Sequence, residues 1–203
     1  MSNKKGNIII TSKGLNTRLG FELIKKELQK EESISSKTIL LVYEPYFSVE
    51  SILIRACMEI GFQKNHIFLC NDRTPKDFFY KADYIYVSEG NTFELFDILQ
   101  QQNHLPNIKE AVLFYGATYI GASAGAIIAG STIKTASLVL HESNFSGVKD
   151  MDGMNLLNDR AVLPHYKEEM VEDVILAEKE IGDIILLKND DINIWNDAGQ
   201  KLY

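Results

Sequence analysis

Ser123 lies at the centre of the segment best suited to covalent chemistry, GASAG at Gly121–Gly125. The segment fits G-x-S-x-G and directly follows an apolar, strand-like run, Ala117–Gly121. A serine on a sharp strand-to-helix turn presents its hydroxyl above the sheet edge, and the N–H of Ala124 can face a developing oxyanion. The same small residues would also permit tight helix–sheet packing without any chemistry, so the pattern alone leaves both interpretations open.

A serine hydroxyl needs a neighbouring base to act as a nucleophile, and the chain offers four histidines. His66 begins a strand-like run, which places it at the opposite edge of the sheet, and His104 lies in a Gln/Asn-rich segment where we expect it to be solvated. His141 follows an apolar run and remains a candidate. His165 follows the buried strand-like run Ala161–Leu163, so the sequence favours it as the base. A structural histidine that caps the next helix is the alternative.

A second turn could supply the other backbone donor of an oxyanion hole. The strand-like run Tyr84–Ser88 is followed by Glu89, Gly90 and Asn91, and then by a predicted helix. We therefore predict that these three residues contribute to oxyanion or substrate binding. Alternatively the segment is only a helix N-terminus, because Asn91 and Glu94 have the spacing of a capping box.

The elements around these segments alternate between short apolar strands and amphipathic helices. The predicted strands are Asn7–Ile10, Thr38–Tyr43, His66–Cys70, Tyr84–Ser88 and Ala117–Gly121. The predicted helices are Asn16–Lys30, Val49–Ile60, Pro75–Lys81, Thr92–Gln101, Asn107–Tyr115 and Met170–Ile181. Apolar strands joined by helices predict an α/β fold, a three-layer αβα sandwich with a mostly parallel sheet of flavodoxin-like type. Ligands of such sheets bind at the carboxyl ends of the strands.

The end of the chain predicts a different arrangement. Ile184–Leu187 and Ile192–Trp195 are apolar runs separated by the four polar residues Lys188–Asp191. Two such runs around a short polar turn predict a C-terminal β-hairpin.

Composition limits the function classes. The 203 residues fit a single domain, 1–203, and the net charge of −7 disfavours nucleic acid as a partner. No apolar run is long enough to span a membrane, and we expect a cytoplasmic protein. Cys57 and Cys70 form neither a disulfide framework nor a zinc motif. The sequence contains no H-E-x-x-H motif and no P-loop, so we expect no metal or cofactor.

Together these segments resemble the aspartyl dipeptidase (peptidase E) and cyanophycinase family of serine peptidases. The likeness is carried by Tyr84–Leu95 (YIYVSEGNTFEL), Tyr119–Ile133 (YIGASAGAIIAGSTI), Leu163–Tyr166 (LPHY) and, less specifically, Met154–Leu157 (MNLL). The resemblance implies a class I glutamine-amidotransferase-like fold. It also implies Ser123 as the nucleophile, His165 as the base, and an oxyanion hole formed by the N–H of Ala124 and one from the Ser88–Gly90 turn.

The chain departs from the family's pattern in three places. Ser88 and Glu89 stand where the family usually has glycines. The segment Thr135–Leu138 lacks the acidic residue that the dipeptidase has there, which leaves the third member of a triad unassigned among Glu142, Glu89, Asp150 and Asp152. Lys167–Glu169 leads almost directly into a helix, where the dipeptidase has a longer loop with an arginine associated with recognising an N-terminal aspartate. Whether specificity for Asp-X dipeptides is kept is therefore open.

These observations predict a serine-type peptidase or amidase acting on small peptides, with a homodimer as one possible assembly. The unassigned acid keeps a second hypothesis open, a non-catalytic module of the same fold that binds a small molecule or a protein. A glutaminase normally requires a cysteine at the elbow, and neither Cys57 nor Cys70 lies there. A nucleotide-binding flavodoxin-like protein would need a glycine-rich loop after the first strand, where Thr11–Gly14 is the nearest approach.

Overall fold

The computed structural model describes residues 6–44, 49–196 and 200–202. Within these ranges the strands are β1 (Ile8–Thr11), β2 (Ile39–Val42), β3 (Ile67–Leu69), β4 (Tyr84–Val87), β5 (Thr118–Ala122), β6 (Ala161–Leu163), β7 (Ile184–Leu186) and β8 (Ile192–Trp195). The helices are α1 (Arg18–Leu28), α2 (Glu50–Ile60), α3 (Lys76–Lys81), α4 (Thr92–Gln101), α5 (His104–Glu110), α6 (Ala124–Ala129), α7 (Thr135–Leu138) and α8 (Val171–Ile181).

The main sheet has the strand order β3-β2-β4-β5-β1-β8. Strands β1 to β5 are parallel, and only β8, which pairs with β1 at the edge, is antiparallel to its neighbour among the described strands. A second, two-stranded parallel sheet is formed by β6 and β7. The mostly parallel α/β sheet confirms that part of the predicted fold, and it collects the carboxyl ends of β1, β2, β4 and β5 at one edge.

Helices cover both faces of the main sheet because its strands are apolar on both sides. In β1, Ile8 and Ile10 belong to one buried cluster, which also contains residues of α4, α5 and α6. Ile9 points to the opposite face and packs in a second cluster with residues of α1 and α2. Strands buried on both faces read as continuous apolar runs, which explains why the strand positions could be predicted.

The predicted C-terminal hairpin is wrong, because β7 and β8 belong to different sheets. β7 pairs in parallel with β6, with Leu186 opposite Leu163. β8 pairs antiparallel with β1, with Ile194 opposite Ile9. Two apolar runs around a polar turn have the local pattern of a hairpin, but each strand here finds a partner far away in the chain. Ile194 also completes the second cluster by packing beside Ile9.

The helix predicted over Asn107–Tyr115 begins earlier, at His104, and ends in a π-helical turn over Ala111–Tyr115. His104 is buried, which corrects the expectation that it is solvated. Its Nε2 lies 3.0 Å from the carbonyl oxygen of Asn71, and its ring centroid lies 4.9 Å from that of Phe79. A polar sequence neighbourhood did not indicate this contact, because the partners come from distant parts of the chain.

The pairing of β8 with β1 can be tested through Trp195. This side chain is 4% exposed and packs in the first cluster, and the guanidinium carbon of Arg160 lies 4.2 Å from its ring centroid. We expect Trp195→Ala to lower the free energy of unfolding by about 3–5 kcal/mol, measured by urea denaturation, because it leaves a cavity beside the sheet. The control Phe145→Ala removes a ring that is 81% exposed and should change stability by less than about 0.5 kcal/mol. Equal losses in the two variants would contradict this placement of β8.

Candidate active site

Ser123 occupies a strained turn between β5 and α6. Its backbone has φ 49° and ψ −107°, a conformation that is uncommon for a residue with a side chain. The turn is fixed to the end of β1, because the N–H of Ser123 donates a 2.9 Å hydrogen bond to the carbonyl oxygen of Thr11. Strain of this kind persists only where the surrounding structure fixes it, and it is concentrated at functional sites.

The two glycines that flank the turn are required by close packing. A Cβ at Gly125 would lie 2.2 Å from the carbonyl oxygen of Val87 in β4, and a Cβ at Gly121 would lie 2.6 Å from the carbonyl oxygen of Gly125. Both distances are too short for any side chain. The small residues therefore allow α6 to begin in contact with the sheet, directly after β5. This places the Ser123 hydroxyl at the carboxyl edge of the sheet.

His165 is held by a fully buried hydroxyl that connects the two sheets. The backbone N–H of His165 donates to Oγ of Ser12 at 2.9 Å, and that hydroxyl donates to the carbonyl oxygen of Leu187 at 3.0 Å. Ser12 directly follows β1, whereas Leu187 directly follows β7. The hydroxyl thus fixes the backbone of His165, which itself has a left-handed φ of 59°, against the end of the main sheet.

The side chains of Ser123, His165 and Asn189 form a chain of hydrogen bonds. Ser123 Oγ lies 2.9 Å from His165 Nε2, and His165 Nδ1 lies 2.8 Å from Asn189 Oδ1. An amide oxygen can only accept a hydrogen bond, so Nδ1 carries the proton in this arrangement. The lone pair of Nε2 is then free to accept the serine hydroxyl proton.

The environment of His165 favours the neutral imidazole. Burial is the largest influence and lowers its pKa below the usual value, and the nearby charge of Lys13 acts in the same direction. The hydrogen bond to Asn189 and the charge of Glu89 oppose this shift. Since the net direction is downward, the ring is neutral at neutral pH, which is the state that a general base requires.

Asn189 was missed because its position depends on the parallel pairing of β6 with β7. The ladder continues past both strands, since the N–H of Leu187 donates to the carbonyl oxygen of Leu163 at 2.9 Å and the N–H of Tyr166 donates to that of Leu187 at 2.9 Å. Residues that follow two parallel strands reach the same edge, so His165 and Asn189 meet there. In the predicted hairpin Asn189 was a turn residue, so its proximity to His165 was not expected.

Of the four acidic residues considered for a third triad position, three have other partners, and the fourth, Asp152, is exposed. Glu142 Oε2 accepts the N–H of Thr92 at 2.8 Å, and burial raises the pKa of its carboxyl group. Asp150 is exposed and accepts the N–H of Asp152 at 3.2 Å. Glu89 Oε1 accepts the N–H of Gly14 at 2.6 Å. The partner of His165 Nδ1 is therefore Asn189, and the candidate Glu142 and the other acids are wrong for this position.

The predicted oxyanion donors lie in the first turn of α6 and in the turn after β4. The N–H of Ala124, in the first turn of α6, has no acceptor among the described residues. The turn after β4 is held beside it, because the N–H of Gly125 donates to the carbonyl oxygen of Ser88 at 3.2 Å. Gly90 in that turn lines the same pocket as Ser123. The role of these two turns as an oxyanion hole stays a prediction.

Asn91 has a structural contact of its own. Its Oδ1 accepts the N–H groups of Phe93 and Glu94 at 3.0 and 3.1 Å, so Asn91 is the N-cap of α4, as the alternative of a helix N-terminus predicts. The predicted binding role of Asn91 stays a prediction.

The remaining histidines lie apart from this arrangement. His66 precedes β3 and its Nδ1 contacts the carbonyl oxygen of Ser35, and His141 is exposed. In the described part of the chain no three His, Cys, Asp or Glu side chains are grouped so that they could hold a metal ion. None of the helices in these ranges is both long and apolar enough to cross a bilayer.

Comparison with known proteins gives consistent matches. The model of peptidase family S51 matches residues 8–199. An uncharacterized peptidase of Listeria monocytogenes is 33% identical over 94 residues, which are 46% of this chain and 45% of that protein. Peptidase E of Nostoc sp. is 28% identical over 157 residues, which are 71% of this chain and 64% of that protein. The matched part therefore spans less than two thirds of each of these relatives.

Two solved structures share the fold. A provisionally assigned peptidase E protein from Listeria monocytogenes superposes with a TM-score of 0.71 at 23% identity, covering 94% of each chain. A peptidase from an acI-B1 actinobacterium superposes with a TM-score of 0.68 at 15% identity, covering 97% of this chain and 85% of that one. Since the family model extends over nearly all the described residues, this chain belongs to peptidase family S51, the peptidase E family.

Proposed function

We propose that this chain is a serine peptidase that cleaves small peptides, with Ser123 as the nucleophile and His165 as the base. The observation that carries the proposal is the 2.9 Å contact between Ser123 Oγ and His165 Nε2 at a strained strand-to-helix turn. A neutral imidazole beside a hydroxyl is the arrangement that activates serine. Membership of family S51 supports the same reaction class.

In the first step Ser123 Oγ attacks the carbonyl carbon of the substrate while its proton passes to His165 Nε2. The negative charge that develops on the carbonyl oxygen is stabilised by the N–H groups of Ala124 and Gly90. A single donor of this kind contributes roughly 10²- to 10³-fold to turnover. His165 then gives the proton to the leaving amine, and an acyl-serine remains.

In the second step water hydrolyses the acyl-serine. His165 takes a proton from the water as it attacks, and the same two N–H groups hold the second oxyanion. Return of the proton to Ser123 Oγ releases the carboxylic acid product and restores the starting state. Asn189 contacts only the imidazole, so its role is to keep Nδ1 protonated and the ring oriented.

The fold and the elbow residue favour hydrolysis of peptides over a glutaminase reaction. The parallel sheet and the nucleophile turn support a variant of the class I glutamine-amidotransferase-like fold, in which glutaminases use cysteine. Burial raises the pKa of both Cys57 and Cys70 to about 12, so neither thiol is poised to react.

Fluorophosphonate labelling tests the proposal. The reagent should phosphonylate Ser123 Oγ with loss of fluoride, and peptide mass spectrometry should locate the adduct there. Ser123→Ala should abolish labelling, and His165→Ala should slow it by about 10²- to 10⁴-fold, because the serine loses its base. The control His66→Ala changes a half-buried histidine just before β3, at the opposite end of the strands from the elbow, and should label at the wild-type rate.

Folded protein that fails to label would exclude the proposed chemistry. It would favour the competing function, a binding module of the same fold, for which the neutral Asn189 in the place of an acid is the motivating observation.

Asn189 can be tested as a positioning residue. We expect Asn189→Ala to slow labelling by about 10- to 100-fold, since the lost hydrogen bond contributes about 1–3 kcal/mol to holding the imidazole. Asn189→Asp keeps the acceptor and adds a charge, which favours the imidazolium, so the acidic limb of the pH–rate profile should move to higher pH.

Asp190→Ala is the matched control, because Asp190 is the exposed neighbour of Asn189 in the same turn. It should leave both the labelling rate and the pH profile unchanged. If Asn189→Ala and Asp190→Ala behave alike, or Asn189→Asp leaves the pH profile where it was, Asn189 does not act through the imidazole.

A further inference from the structure

A pocket of about 290 Å³ opens beside Ser123 at the carboxyl edge of the main sheet. Its lining includes the apolar side chains Val49 and Leu53 together with Glu44, Glu89, Gly90 and the nucleophile. The order of the sheet explains this grouping, since Glu44 follows β2, Glu89 and Gly90 follow β4, and Ser123 follows β5. The pocket is therefore placed to hold the residue whose carbonyl carbon Ser123 attacks.

Glu44 is a buried carboxyl group with an unused oxygen. It is 3% exposed, and its Oε2 has no hydrogen-bond partner among the described residues. A Cβ at Gly90 would lie 2.7 Å from that oxygen, so the absence of a side chain at position 90 leaves room beside it. Buried polar atoms are nearly always satisfied, and an exception inside a pocket indicates a missing ligand group.

Other acidic groups surround this carboxyl. Burial, the largest cause, and a hydrogen bond with Glu94 raise the pKa of Glu44 to about 7, while the N–H of Asn91 lowers it. Glu89 adds a further carboxylate to the lining, and the described lining residues include no basic side chain. Lys13 influences the pKa of His165 but is not one of the lining residues. The local charge therefore attracts a cation and repels an anion.

Building on the proposed function, we propose that Glu44, backed by Glu94, binds a positively charged ammonium group on the acyl residue of the substrate. The unpartnered Oε2 accepts the hydrogen bond from that ammonium group, and any proton held between the two carboxyl groups is released on binding. An N-terminal aspartate would instead place a carboxylate in a pocket that contains Glu44 and Glu89. The side-chain carboxylate of that aspartate would be repelled, so Asp-X dipeptides should bind weakly.

The ammonium group can come from the free α-amine or from a basic side chain, and binding of dipeptides distinguishes the two. The Ser123→Ala variant is titrated calorimetrically with Lys-Leu, norleucyl-Leu, N-acetyl-norleucyl-Leu and Asp-Leu. A side-chain site predicts that Lys-Leu binds about 10- to 100-fold tighter than norleucyl-Leu, and an α-amine site predicts the same advantage of norleucyl-Leu over its acetylated form. In either case Asp-Leu binds more weakly than norleucyl-Leu.

Glu44→Gln in the same background keeps the shape of the side chain and removes its charge, so it should abolish the advantage of the cationic peptide. The control Glu59→Gln changes an exposed carboxylate that pairs with Lys25 on the outer side of α2, and it should preserve that advantage. If Glu44→Gln does not fold, the comparison of the four peptides on one protein still decides the proposal.

Equal binding of the charged and uncharged peptides, or tightest binding of Asp-Leu, would overturn the proposal. This outcome is distinct from failure of the peptidase function, which is judged by Ser123 labelling. The binding measurement does not depend on catalysis, so each claim can fail alone.

Discussion

The buried hydroxyl of Ser12 joins two sheets at the point where the proposed reaction takes place. It accepts the N–H of His165 and donates to the carbonyl oxygen of Leu187, which ties the ends of β6 and β7 to the end of β1. β1 in turn holds the nucleophile turn through the carbonyl oxygen of Thr11. These bonds fix the backbone on which Ser123 and His165 stand, so both sheets together set the separation of Ser123 Oγ and His165 Nε2.

The imidazole of His165 contacts an amide, whereas many triads have a carboxylate at this position. This difference changes the relative stability of the neutral and the charged imidazole. An amide fixes the tautomer and orientation of His165, but it provides less stabilisation of the imidazolium than a carboxylate would. Burial and the charge of Lys13 shift the pKa of His165 in the same direction, toward the neutral ring. In the proposed mechanism this arrangement keeps the base unprotonated below neutral pH, but it stabilises less strongly the positive charge that would form on the ring during attack.

The sequence allowed the parts of the site that depend on local patterns to be predicted. G-x-S-x-G after an apolar strand indicated the turn at Ser123, and the end of a buried strand indicated His165, because both positions follow from where a strand stops. Asn189 and Glu44 could not be found in this way. The position of Asn189 depends on the parallel register of β7 with β6, and a polar turn between two apolar runs looks like a hairpin. The burial of Glu44 depends on the packing of α2 and on the turn after β4.

The tautomer of His165 tests the account most directly. Long-range ¹⁵N–¹H correlation spectra of the folded protein, recorded above the pKa of the imidazole and assigned by loss of the signals in His165→Ala, show which ring nitrogen carries the proton. The hydrogen bond to Asn189 predicts a neutral ring protonated at Nδ1, with a bare Nε2 facing Ser123 and an Nδ1–H signal that moves in Asn189→Ala. A ring protonated at Nε2 would have no lone pair for the serine proton, and that result would contradict the proposed role of His165.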